Sequence, residues 1–195
     1  LESCETARGH FIAARDLDTL RFRADTRTNE IIRSVSDVER DGLYFVDVEQ
    51  AFAAESADGM PGDEYFYEHV HLNFAGNYLL AKSILSEVDS VLTDLGHDVG
   101  AAPAPLQQTE CDQYLAVTQW ERFRAADAIH RGFLRKPPFT NQSDHTGRLR
   151  SFVARMDKLR LPDSADVLRS VDVEYRTAGA ENPGDVWLLY NHARF

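Results

Sequence analysis

The sequence predicts an α/β segment over residues 1–97 and an all-α helical region over residues 108–195, joined by a linker at 98–107. Three observations predict this. Leu43-Tyr44-Phe45-Val46-Asp47-Val48 is a short, nearly continuous run of β-branched and aromatic residues, the pattern of a strand buried on both faces of a parallel sheet. Helical patterns stand on both sides of that run. From Gly96 to Pro105 the chain is a stretch of small and turn-forming residues with two prolines, and no strand pattern persists beyond it.

Residues 17 to 38 place Leu17, Leu20, Ile31, Ile32, Val35 and Val38 among many charges, which predicts a helix with one buried face that ends at Asp41-Gly42. Asp47 falls near the C-terminal end of the predicted strand, where open α/β sheets place their sites. A Gly/Pro-punctuated loop follows from Ser56 to Asp63. Asn73 is the predicted N-cap of a long helix whose apolar positions Phe74, Tyr78, Ala81, Leu85, Val88, Leu92 and Leu95 step by four and three. Leu80, Ile84 and Val91 widen the stripe, and so broad a face is expected to pack on a sheet. In the second region Thr118 caps a segment carrying Trp120, Phe123, Ile129 and Phe133, and Pro137-Pro138 breaks it. Leu149, Phe152, Met156 and Leu159 mark the next helix; Leu168, Val171, Tyr175 and Ala178 mark another. Asn182-Pro183-Gly184-Asp185 is a turn into a last helix, Val186 to Phe195.

Composition narrows the function classes. The 195 residues are 43% hydrophobic, too apolar for a disordered chain, yet no run approaches the length of a membrane span. With 21 basic against 32 acidic side chains the net charge is −11, which argues against a nucleic-acid binder. The charge is uneven: ten basic and four acidic residues lie between Trp120 and Arg160, spread around helices, which reads as solvated faces in preference to a patch for a phosphate or an acidic partner. Cys4 and Cys111 are too few for a disulfide framework or a zinc cage, and no cofactor is expected. The chain opens at Leu1 in mid-pattern, which predicts that it is part of a longer protein.

The densest cluster of chemically capable side chains is Glu64-Tyr65-Phe66-Tyr67-Glu68-His69-Val70-His71-Leu72-Asn73. Three readings compete for it. In the first, Glu68 folds back from three residues away to accept the Nδ1 proton of His71, so that Nε2 faces the site as a general base. In the second, His69 and His71, two apart on an extended segment, hold a metal with Glu68 or Glu64 as a third ligand. In the third, the histidines only close the loop through backbone hydrogen bonds.

The stretch Glu68-His69-Val70-His71-Leu72-Asn73-Phe74-Ala75-Gly76-Asn77-Tyr78-Leu79-Leu80-Ala81 resembles the last block of SGNH (GDSL-type) hydrolases, an Asp-x-x-His loop followed by a helix with a small residue in its first turn. The resemblance extends to Asp25–Arg33 with Asn29 and to the run Leu43–Val48, the order of the C-terminal half of that three-layer fold. It implies His71 as the base and Glu68 as its orienting acid, with Glu in place of the usual Asp. It also implies a serine in a Gly-Asp-Ser block, which this sequence lacks: Gly62-Asp63 is followed by Glu64, and Gly184-Asp185 by Val186. The expectation is therefore the C-terminal half of a serine esterase or acyltransferase acting on an ester, an acylated carbohydrate among the candidates, and inert without its nucleophile. The tail from Val173 to Ala193, with Tyr175 and Ala178, the Asn182–Asp185 turn and Tyr190-Asn191-His192-Ala193, resembles a junction of tetratricopeptide (TPR) repeats. That implies a protein or peptide partner, and a non-catalytic interaction module as the alternative function.

Overall fold

The computed structural model describes residues 3–19, 22–36, 42–97, 100 and 104–195. The chain divides into two compact units, residues 1–105 and 106–195. Leu20, Val38 and Asp41 of the first predicted helix, and residues 98, 99 and 101–103 of the predicted linker, lie outside the described residues.

The first unit carries four α-helices among its described residues, α1 (Cys4–Asp16), α2 (Thr26–Ser36), α3 (Val48–Glu55) and α4 (Phe74–Asp94), and a short 3-10 turn at Ala57–Gly59. This corrects the α/β expectation. The described residues contain no sheet, and their one β-type pairing is an isolated antiparallel bridge between Phe66 and Leu72. Residues 43–47 pair with no other strand, and Leu43, Tyr44 and Phe45 are each more than a third exposed. A parallel strand exists only through a neighbour to which it is bonded, and a single apolar run supplies one side of that pairing. Asp47 accordingly serves a helix: its carboxylate accepts from the Gln50 N–H and caps α3.

The first predicted helix is also corrected. It splits, because Leu17 ends α1 and is 80% exposed, while Asp25, which is buried, accepts from the Thr28 N–H as α2 begins. Residues 4–16, not singled out by their periodicity, form α1, with Ser3 accepting from the Thr6 N–H at its start. In place of a sheet, a chain of ions ties three helices. Arg33 of α2 forks onto Asp47 at 2.7 and 3.1 Å and reaches Glu49 of α3 at 2.7 Å. Arg15 of α1 meets the other oxygen of Glu49 at 2.7 Å. The Arg33 guanidinium, with the Gln50 N–H, holds the Asp47 carboxyl low against the opposing effect of burial.

Asn73 caps α4 as predicted, its Oδ1 accepting from the Gly76 N–H at 3.0 Å. The broad apolar face of α4 does not cover a sheet. Leu79 is buried and α4 packs on α3, but Ile84, Leu85 and Val88 remain about 40% exposed. The small core here centres on Phe52, which meets Tyr65 edge-on at 5.3 Å and Phe66 at 5.8 Å.

The second unit is helical among its described residues: α5 (Gln108–Tyr114), α6 (Gln119–Ile129), α7 (His145–Asp157), α8 (Ala165–Glu181) and α9 (Val186–Arg194). Thr118 caps α6 by accepting from the Glu121 N–H, and Asp185 caps α9 by accepting from the Trp187 and Leu188 N–H groups. Ala116, Val171, Tyr175, Ala178 and Leu188 form its core, with Trp120, Leu161 and Phe195 packed against them. The Tyr175 hydroxyl, inside that core, donates to Glu121 at 2.5 Å, and burial with that neighbouring carboxylate raises the phenol. No helix of the described residues is long and apolar enough to cross a membrane.

Candidate functional site

The cluster at residues 64–73 forms a closed loop whose shape follows from its backbone bonds. The Tyr67 N–H donates to the His71 carbonyl and the Asn73 N–H to the Tyr65 carbonyl, both at 2.9 Å, around the Phe66–Leu72 bridge. Glu68, His69 and Val70 thus stand at the tip of a tight turn. The base of the loop is anchored by Asn73, whose Nδ2 donates to the carbonyls of Asp63 and Glu64 at 3.2 and 3.0 Å while its Oδ1 caps α4. Asn77, one turn on, donates to the Asn73 carbonyl at 2.9 Å.

Gly76 is fixed by this anchoring. It is buried in the first turn of α4, and a Cβ there would run into the Tyr65 carbonyl oxygen and the Leu72 side chain. The helix start can therefore lie directly against the loop only with glycine at this position.

The turn folds the Glu68 carboxylate inward, with its side chain 7% exposed, and gives it four donors. Oε1 takes the His71 backbone N–H at 2.9 Å and the His71 Nδ1 in a short contact. Oε2 takes the Val70 N–H at 3.0 Å and the His69 Nδ1 at 2.5 Å. Burial by itself would raise this carboxyl, but the hydrogen bonds from both rings and from the His71 N–H outweigh it and hold it at about 2. An ionised carboxylate only accepts, so both Nδ1 atoms carry their protons toward Glu68 and the chemistry of each ring is left to Nε2. His71 is the more open of the two rings, its side chain 38% exposed against 20% for His69. The Phe22 ring meets the His69 ring in a T-shaped arrangement at 5.6 Å.

Among the candidates, Glu68, His69 and His71 are brought together and Glu64 is not, contributing instead a backbone carbonyl to the anchor. A metal would need ring nitrogens and carboxylate oxygens turned toward a common point. Here Glu68 and both Nδ1 atoms face each other, and no group of three or more His, Cys, Asp and Glu side chains among the described residues is arranged to hold an ion. Six serines of the first unit, Ser34, Ser36, Ser56, Ser83, Ser86 and Ser90, each donate to a backbone carbonyl three or four residues earlier. None of these hydroxyls is presented as a nucleophile.

A cleft of about 160 Å³ lies elsewhere, between α2 and the start of α3, lined by residues that include Asn29, Ile32, Arg33, Phe45, Asp47 and Glu49. Neither histidine lines it, so the carboxylate–histidine geometry and not this cleft defines the candidate site. Sequence spacing found Glu68 and His71 but read His69 as a metal ligand or a loop-closing residue and not as a partner of Glu68. A side chain two residues before His71 on a tight turn reaches the second oxygen of the same carboxylate, a relation visible only once the turn is closed. The Arg15–Glu49–Arg33–Asp47 chain had one signal in the sequence, since Asp47 followed three residues later by Gln50 is a helix-start signature. Compared with protein-family models, with curated proteins and with solved structures, the chain matches none.

Proposed function

We propose that the loop at Glu68–His71 is the general-base half of an acyl-transfer site acting on an ester, with His71 as the base and Glu68 as the residue that orients it. The observation that carries this reading is the His71 Nδ1 contact with the buried Glu68 carboxylate, which leaves Nε2 to accept a proton. In the reaction a hydroxyl oxygen bonds to the ester carbonyl carbon as its proton passes to Nε2. The imidazolium that forms is stabilised by Glu68, and the same proton returns to the departing alcohol. The nucleophilic serine is supplied from outside the six hydroxyls tied to backbone carbonyls, in keeping with the resemblance to SGNH hydrolases at Glu68–Ala81.

The test is hydrolysis of a short-chain aryl acetate by the full-length protein. His71→Ala is expected to lower kcat/KM by about 100-fold or more, the usual size of a general-base contribution. Turnover within about twofold of wild type would remove His71 from the mechanism. A wild-type protein with no turnover at all would favour a second reading, a non-catalytic module that binds a protein or peptide. That reading is supported by α9, where Val186, Trp187, Leu189 and Tyr190 are each at least half exposed.

A further inference from the structure

We infer that His69 is a positioning residue, which fixes the rotation of the Glu68 carboxylate and through it the ring of His71. The inference rests on the general-base reading of His71. A glutamate's terminal torsion is broad and has no deep preference of its own, so the direction of its oxygens is set by what donates to them. At Glu68 the donors are divided evenly: the His71 N–H and Nδ1 on Oε1, the Val70 N–H and the His69 Nδ1 on Oε2. The two backbone donors come from consecutive residues of one turn, one on each oxygen, and the two rings add one further donor to each. Without His69, Oε2 keeps one backbone donor in a site with 7% side-chain exposure, where water has little room to replace the lost one. The carboxylate then turns to share its oxygens, and Oε1 no longer holds the His71 Nδ1 proton in a single direction.

His69 is built for this role. Its side chain is four-fifths covered and its ring meets that of Phe22 in a T-shaped contact, which keeps it against the loop. Its Nδ1 is directed at Oε2 of Glu68, the oxygen that His71 does not use. Its Nδ1–H can be reproduced by the amide of asparagine, whose Nδ2 occupies nearly the same place relative to Cβ, and cannot be reproduced by phenylalanine, which keeps only the ring.

The test combines two readouts on the same full-length protein in which hydrolysis is assayed. Nitrogen-15 NMR of the imidazoles is expected to show His71 as one neutral tautomer, with the proton on Nδ1, in wild type and in His69→Asn, and as a mixture of tautomers in His69→Phe. Aryl acetate hydrolysis is expected to lose about tenfold in kcat with KM little changed in His69→Phe, and to be largely restored in His69→Asn. Should His69→Phe fail to fold, His69→Gln, whose amide stands one carbon too far, replaces it with the same expectations. A His71 tautomer unchanged by loss of the His69 donor would overturn the inference, whatever happens to activity. Wild-type turnover in His71→Ala would instead overturn the general-base reading while leaving the NMR result to decide the role of His69.

Discussion

Glu68 concentrates on two oxygens what most carboxylates spread over solvent, and its ionisation is linked to folding. Its carboxyl is held at about 2 in the folded chain against an ordinary value of 4.5. A depressed folded value means that stabilisation is fully present above the ordinary value and is lost as pH falls through the folded one. The difference in Tm between wild type and Glu68→Gln is therefore expected to be largest above about pH 5 and to shrink as pH falls toward about 3. A difference that stays constant over that range would contradict the linkage. Glu68 and His71 were legible from spacing alone, because three residues is the reach of a side chain folding back across a tight turn. His69 was legible as a histidine but not as a partner, because its relation to Glu68 depends on the turn's closure.

At the scale of the element, the loop and helix α4 are one construction joined through Asn73. Its Oδ1 caps the helix while its Nδ2 holds two loop carbonyls, so one side chain fixes both the helix start and the loop's base. Asn73→Ala is expected to cost about 1–2 kcal/mol in urea unfolding for the cap alone, with the loop bonds adding to it. Asn73→Asp, which keeps the capping oxygen and lacks the Nδ2 donors, should fall between wild type and alanine. A loss below about 0.5 kcal/mol in the alanine variant would show that the cap does not hold the loop. Caps of this kind were readable in advance at Asn73 and Thr118, because a short polar side chain before an apolar period has few other uses. The run Leu43–Val48 was not readable in the same way. A short apolar run has no period that separates a paired strand from an extended connection, and the distinction lies in a neighbour that the described residues do not provide.

At the scale of the whole chain, the helical second unit followed from periodicity, since Val171, Tyr175 and Ala178 recur on one face of α8 and are the residues that bury. The first unit departed from expectation because the run Leu43–Val48 was read as a strand and the broad apolar stripe of α4 as packing on its sheet. Ion pairs among Arg15, Arg33, Asp47 and Glu49 connect its helices instead, and Ile31, Ile32 and Val35 stay about half exposed. What this frame delivers to the site is a short loop that carries its own orienting carboxylate and is anchored at a helix start. The claim that His71 is an oriented base is tested most directly on the intact chain by nitrogen-15 NMR at a pH where its imidazole is neutral. The account predicts a single His71 tautomer with the proton on Nδ1 and Nε2 bare; a proton on Nε2 would contradict it.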